Sequence, residues 1–226
     1  MKSVLLTRSL EENRKIIKEM SKSNLDLHYI HCPLIKYKIL DFNVNILANY
    51  SNIIITSKYA AIIITKHYIN QNIWVVGNTS KKLLENKGLK VTYTAKNLED
   101  LIEHFPPKLY EQTIYLSSNE ITKDLPNEIA RHIIYSVEYL NELPVSIIKE
   151  FEKNIDFILC YSQNSAKTLV KLLLQNNLLQ YVQESLVVAI SLKVANIVRP
   201  FTKNVVYCDD QNPNDIIKLL SDNAKI

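Results

Sequence analysis

The sequence predicts an α/β fold of two similar domains, each a parallel sheet flanked by helices. Three observations carry this reading. First, a buried apolar strand ending in a hydroxyl residue and turning straight into a helix occurs twice, as IIITSKYAAII with Thr56 and Ser57 and as FILCYSQNSAKTLVKLL with Ser162. Second, the segments downstream echo each other in the same order: VVGNTSKKLL answers VVAISLKVANIV, and KVTYTAKNLEDLI answers NVVYCDDQNPNDII. The offset is about 105 residues from Ser57 to Ser162 and about 114 from Gly77 to Ser191, a period long enough for a duplicated domain. Third, strands and helices alternate throughout, which implies parallel pairing through right-handed crossovers. Such a duplicated unit, with polar residues at strand C-termini, is an architecture that sets a ligand between two similar halves.

The elements follow in order. Val4–Thr7 is an all-apolar strand with a polar end, and Ser9 with Glu12 reads as a capping box opening a helix that ends near Asn24. LDLHYIHCPLI returns as a strand closed by Pro33, which has no amide to donate. Residues 53–57 give the next strand, then a helix to about Tyr68. IWVVG is a strand, and the helix from Thr79 stops at Gly88, a left-handed cap. After the strand KVTY, Asn97 caps LEDLIEHF, which Pro106 and Pro107 break. TIYLS, a helix over Leu125–Arg131 and HIIYSVEYL then replay the opening β-α-β, with Glu120 and Asp124 at a helix start where their charge suits the macrodipole. Asn212-Pro213 begins the last helix.

Composition narrows the function. Among 226 residues only Gly77 and Gly88 are glycine, so no phosphate-cradling Gly-rich loop can be written and nucleotide cofactors are disfavoured. A net charge of +4 suits an anionic ligand, but the basic residues are scattered, which argues against nucleic acid. Cys32, Cys160 and Cys208 stand at unrelated spacings; they read as reduced core thiols, and no spacing suggests a metal. No stretch approaches the ~18 apolar residues of a membrane span, and the N-terminal apolar run is too short for a signal peptide. A soluble cytoplasmic protein is expected. The five histidines show no paired base and nucleophile, and read as structural or surface residues.

The order LLTR (5–8), ITS-x-x-A (55–60), VVGN with a hydroxyl-bearing helix (75–80), VEY (137–139), YS-x-x-SA (161–166) and VAI (188–190) resembles the uroporphyrinogen-III synthase family. Each motif is short; their sequence, spacing and duplication make the likeness specific, and it spans nearly the whole chain. The resemblance implies a chain that crosses between domains twice. One domain would comprise 1–34 plus 140–226 and the other 35–139, joined by a two-stranded antiparallel hinge near Cys32–Ile35 and Tyr139–Leu143. It also implies an activity: cyclisation of the linear tetrapyrrole hydroxymethylbilane to uroporphyrinogen III, with inversion of the last ring and loss of water. No cofactor, nucleic acid or membrane takes part, and a monomer is expected.

The substrate of that family carries eight carboxylates. Strand tips bearing hydroxyls and helix-start amides suit such a ligand without a lysine cluster. The tips are Thr7, Ser57 and Ser80 in the first half and Ser117, Ser162 and Ser191 in the second, with Arg8, Thr56, Asn78, Thr79, Ser118 and Lys193 beside them as further substrate-binding candidates. Tyr139, which matches the tyrosine of the family's interdomain strand, is the catalytic candidate, to hydrogen-bond or protonate the leaving hydroxyl. A phenol with the ordinary pKa of about 10 is a weak acid, so its contribution should be modest.

Each residue also has a plainer reading: the serines as helix N-caps, Tyr139 as a packed aromatic, Arg8 as a sheet-end ion pair. Two segments depart from the family pattern. Ser191-Leu192-Lys193-Val194-Ala195 stands where Gly-x-Thr-Thr-Ala is usual, and Ser117–Thr122 lacks the usual glycine and arginine. A two-lobed receptor for an anionic small molecule and a degenerate, non-catalytic relative therefore stay open at this stage.

Overall fold

The computed structural model describes residues 1–23, 26–67, 69–209 and 213–224, so Asn24, Tyr68 and Asn212 lie outside the described residues. Two compact units emerge, Met1–Lys36 with Glu138–Ile226 as unit 1 and Tyr37–Val137 as unit 2. The chain opens unit 1 with β1 (Lys2–Leu6), α1 (Leu10–Met20) and β2 (Leu27–His31), and leaves through β3 (Ile35–Ile39). Unit 2 continues with β4 (Asn52–Ile55), α2 (Lys58–Ile64), β5 (Asn72–Val76), α3 (Asn78–Glu85), β6 (Val91–Ala95), α4 (Leu98–His104) and β7 (Thr113–Ser118). A long β8 (Ala130–Tyr139) carries the chain back. Unit 1 is completed by α5 (Val145–Glu152), β9 (Phe157–Cys160), α6 (Gln163–Gln175), β10 (Leu186–Ala189), α7 (Leu192–Val198), β11 (Val205–Tyr207) and α8 (Pro213–Ala224).

Strand order is β11-β10-β9-β1-β2 in unit 1 and β3-β8-β7-β4-β5-β6 in the other sheet. Every pairing among β1, β2, β9, β10 and β11 is parallel, as is every pairing from β8 through β6. Set side by side, β11, β10, β9, β1 and β2 correspond to β6, β5, β4, β7 and β8. The duplication read in the sequence is thus a duplication of topology. In unit 1 the β1-α1-β2 piece comes first in the chain, and its counterpart β7–β8 comes last in unit 2.

Helices on both faces explain the continuous apolar strands. In unit 1, Leu5, Ile158 and Val187 pack with Phe151, Leu169 and Val194 on one face. Val4, Leu6 and Leu159 meet Ile16, Met20 and Ile216 on the other. In unit 2, Ile53, Ile55 and Val75 face Ala61, Ile64 and Leu84, while Ile54, Trp74 and Tyr115 face Leu101 and Phe105.

One expectation requires correction. No helix forms over Leu125–Arg131; the segment between β7 and β8 is a loop, so Glu120 and Asp124 do not open a helix. Pro126 disfavours helical backbone at Leu125, so Ile121, Leu125 and Ile129 cannot lie on one continuous helix. The four-residue apolar spacing of Ile121, Leu125 and Ile129 serves the loop instead, anchoring it on the Trp74–Phe105 cluster. The antiparallel connecting pair expected near Cys32–Ile35 and Tyr139–Leu143 forms, and it runs on into the neighbouring residues. It comprises β3 and the end of β8, with Leu40 N donating to Ile134 O at 3.1 Å and Leu140 N to Leu34 O at 2.9 Å.

The start of α4 shows how polar groups fix a turn. Asn97 accepts from Asp100 N at 2.9 Å, and the Asp100 carboxylate accepts from Lys96 N at 2.6 Å and from the Tyr93 hydroxyl at 2.9 Å. The Lys96 amide first, then the Tyr93 hydroxyl, hold this carboxyl below its ordinary range. A depressed carboxyl stabilises the fold above its ordinary pKa, and that contribution is lost as pH falls through the lowered value. Trp74, the sole tryptophan, lies in unit 2 and reports its unfolding. We expect Asp100→Asn to lower the urea midpoint seen by Trp74 fluorescence at pH 7, with the difference shrinking below about pH 4. A difference independent of pH would contradict the assignment.

Candidate functional site

Because their strands are parallel, each sheet gathers its carboxyl ends on one edge, and helix starts follow most of them. In α/β proteins ligands bind at this edge.

In unit 2 the β4 exit carries Thr56 and Ser57. Ser57 caps α2, its hydroxyl oxygen accepting from Ala60 N at 3.0 Å and from the Tyr135 hydroxyl at 2.9 Å. Thr56 shares a 2.7 Å hydrogen bond with the Tyr115 hydroxyl, a phenol pushed up by burial. Tyr135 is tilted against Tyr59 and Tyr37, whose rings stack at 4.0 Å. At the β5 exit Gly77 adopts φ 84°, a conformation that favours glycine, and gives α3 no side-chain cap. Asn78 and Thr79 are exposed in the first turn of α3, and Ser80 is buried beneath them.

Ser117 and Ser118 end β7, both buried. Ser117 Oγ accepts from Arg131 Nε at 2.9 Å, while Arg131 Nη2 donates to the carbonyls of Ser118 at 2.8 Å and Asn119 at 3.3 Å. Ser118 Oγ donates to Glu120 O. The segment Ser117–Thr122 has no arginine of its own, yet a guanidinium stands there, supplied by β8. Parallel pairing of β7 with β8, in which Arg131 faces Tyr115, makes this possible.

In unit 1 Ser162 caps α6, accepting from Ser165 N at 3.1 Å and sharing a hydrogen bond with Ser165 Oγ. Ser191 caps α7, accepting from Val194 N at 3.4 Å, and Lys193 is exposed in the first turn. Tyr139, the last residue of β8, accepts a hydrogen bond from Asn164 Nδ2 at 2.7 Å. Thr7 is 1% exposed and its hydroxyl donates to Leu159 O at 2.6 Å, so it ties β1 to β9. Arg8 is bidentate with Glu12 at 3.0 and 2.5 Å and lies over the Tyr161 ring at 4.7 Å. The ion-pair reading of Arg8 is therefore the one its geometry expresses.

Other chemistry is sparse. All three cysteines are free and buried; burial pushes Cys32 and Cys160 up to about 12 and Cys208 to about 11, so none is a thiolate at neutral pH. Among the described residues no group of three or more His, Cys, Asp or Glu side chains could hold a metal ion. Among them, too, no helix is long and apolar enough to cross a membrane. Two open cavities lie at the opposite, amino-terminal edges. One is lined by Gln183, Glu184, Arg199 and Lys203 before β10 and β11; the other by Asn70, Asn72, Lys87 and Lys90 around the starts of β5 and β6. Since β10 and β11 correspond to β5 and β6, these grooves are the same product of topology made twice.

The sequence profile described as uroporphyrinogen-III synthase HemD matches residues 18–217. The chain belongs to the uroporphyrinogen-III synthase family. A curated relative, an uncharacterized protein of Rickettsia prowazekii (strain Madrid E), is 62% identical with the whole of both chains covered. Two crystal structures share the fold. Uroporphyrinogen-III synthetase from Helicobacter pylori 26695 matches with a TM-score of 0.62 at 13% identity, covering 97% of this chain and 98% of that one. A mutant uroporphyrinogen III synthase from the extremely thermophilic bacterium Thermus thermophilus matches at 0.59 and 12% identity, covering 100% and 98%. At these identities the likeness speaks for the fold; the family rests on the profile.

Tyr115, Tyr135, Arg131 and Asn164 escaped the sequence reading. A usable signal existed for one pair: Tyr135 and Tyr139 stand four apart on a strand, which puts them on one face. We expect Tyr135→Phe, which keeps the ring but removes the bond to Ser57, to cost unit 2 ~1 kcal/mol in a urea titration followed by Trp74 fluorescence. No measurable loss would contradict a stabilising bond to Ser57 and place the weight on the ring stack, which the variant keeps.

Proposed function

We propose that this member of the family is an active uroporphyrinogen-III synthase, a cofactor-free, cyclising hydro-lyase of tetrapyrrole (heme) synthesis. Its substrate would be hydroxymethylbilane. Family membership supports the reaction class, and the observation that carries the reading is the hydroxyl-capped carboxyl edge. Ser57 stands at that edge in unit 2, and Ser162, Ser191 and Tyr139 stand there in unit 1.

An eight-fold carboxylate needs many donors of moderate strength. Helix-start amides are such donors, and they carry the partial positive end of the helix dipole. In this proposal Thr56, Ser57, Asn78, Thr79 and the α3 amides hold acetate and propionate groups at one edge, and Ser162, Ser191 and Lys193 hold them at the other. Thr7, Ser80, Ser117 and Ser118, being buried, act through the backbone they fix. Arg8 contributes only if Glu12 yields it.

Tyr139 is the proposed proton donor. The bond from the terminal carbon to its hydroxyl breaks with the electron pair leaving on oxygen, which takes the phenol proton and departs as water. The electron-rich pyrrole stabilises the resulting azafulvene cation. The substituted carbon of the last ring attacks it, the spiro intermediate reopens, and reclosure releases a proton that the phenolate recovers. Because the substrate brings its own nucleophile, orientation is the main catalytic contribution. A monomeric cytoplasmic enzyme is proposed, with no nucleic-acid or membrane partner.

An assay coupled to freshly generated hydroxymethylbilane, with isomer analysis, tests this. Type III product above the spontaneous background is expected; type I product alone, at the uncatalysed rate from folded protein, would leave binding without turnover. Tyr139→Phe should lower kcat roughly 10- to 100-fold, at or below the low end of general acid catalysis, with the fold intact by circular dichroism. Wild-type rates would remove Tyr139 from the mechanism.

A further inference from the structure

We infer that Asn164 is a positioning residue that makes Tyr139 a proton donor. The inference deepens the proposed function and rests on it for the identity of the reaction. Asn164 lies in the first turn of α6, two residues after the Ser162 cap, and its Nδ2 donates to the Tyr139 phenol oxygen at 2.7 Å. Its backbone carbonyl is engaged by the Thr168 hydroxyl at 2.8 Å, a bond inside the helix that involves no side-chain atom of Asn164.

The direction of this bond has a chemical consequence. A phenol oxygen carries one hydrogen to give and can accept in return. Once it accepts an amide hydrogen, the proton it can contribute is its own. When that proton moves to the departing hydroxyl, negative charge grows on the phenol oxygen, and a hydrogen bond to a charged acceptor is roughly twice as strong as to a neutral one. Asn164 thus stabilises Tyr139 more after proton donation than before it. An interaction that strengthens along the reaction raises kcat rather than substrate affinity. The anchor is rigid: α6 packs through Ala166, Leu169, Leu172 and Leu173 into the unit 1 core, and its first turn is fixed by Ser162.

The sequence context separates this role from capping. Ser162 already accepts from the Ser165 amide, and Asn164 makes no side-chain bond to the backbone of its own helix among those observed. Its side chain therefore contributes to Tyr139 and not to the helix start.

The test is a mutant cycle with an isosteric reversal. Asn164→Ala should lower kcat about tenfold with KM within twofold of wild type. Asn164→Asp puts a carboxylate where the amide donor stood, accepts the phenol proton, and should be slower still. In a Tyr139→Phe background Asn164→Ala should change kcat less than twofold, because the group it acts through is gone. Fully multiplying effects, or an Asn164→Asp enzyme as fast as wild type, would overturn the inference. A second readout needs no turnover: the Tyr139 ring carbon bearing the hydroxyl, labelled with carbon-13, should ionise at higher pH in Asn164→Ala than in wild type. An unchanged ionisation overturns the inference even if the enzyme is active. An upward shift in a protein that makes no type III product upholds the Asn164–Tyr139 coupling and discards the assigned reaction.

Discussion

Parallel strands cannot be joined by a tight turn; the chain must cross over before it can pair again, and nearly every crossover here is a helix. That constraint organises the molecule. It sends the carboxyl ends of the parallel strands of a sheet to one edge, and helices that start there begin with amides that have no partner inside them. Serine at the turn satisfies one amide and leaves the others to a ligand. Ser57, Ser162 and Ser191 each accept from the amide three residues on, so in the proposed function capping and ligand binding share one arrangement. The proposed anion site therefore needs no glycine-rich loop, which a chain with two glycines could not supply.

β8 is where the duplicated plan is put to use. Its counterpart β2 has five residues, whereas β8 has ten. The added length carries the chain from one unit to the other and brings two phenols with it. Tyr135 donates to the Ser57 cap in unit 2, and Tyr139 accepts from Asn164 in unit 1. Opposite hydrogen-bond directions give the two tyrosines different chemistry from similar positions. The first locks a serine, and the second is the proton donor of the proposed reaction.

Much of the fold was legible because duplication doubles the signal. The strand, hydroxyl and helix pattern at Ser57 and Ser162 was enough to establish alternation, parallel pairing and the position of the edge from residue types and spacing alone. The segment after β7 was not legible, since Ile121, Leu125 and Ile129 keep a helical spacing while Pro126 forbids the helix, and docking on Trp74 and Phe105 decided the outcome. Site residues were read only where they sit in local motifs. Arg131 was missed because it serves the exit of a neighbouring strand, fourteen residues upstream at Ser117. Tyr135 and Asn164 were missed because their partners are distant in sequence. Burial was equally invisible: nothing in the local pattern distinguished Thr7 or Ser117, which face inward, from Ser57, which is partly exposed.

The central claim is that a polycarboxylate binds through the carboxyl-edge amides. Backbone amide resonances followed during titration with uroporphyrin III, a stable octacarboxylate porphyrin, test it most directly. The account predicts saturable shifts at the first-turn amides Lys58 and Tyr59, Asn78–Ser80, Gln163 and Asn164, and Leu192 and Lys193, with the amino-edge groove residues near Lys87 and Lys203 unmoved. Shifts confined to those grooves, or none at the helix starts under ligand excess, would contradict it.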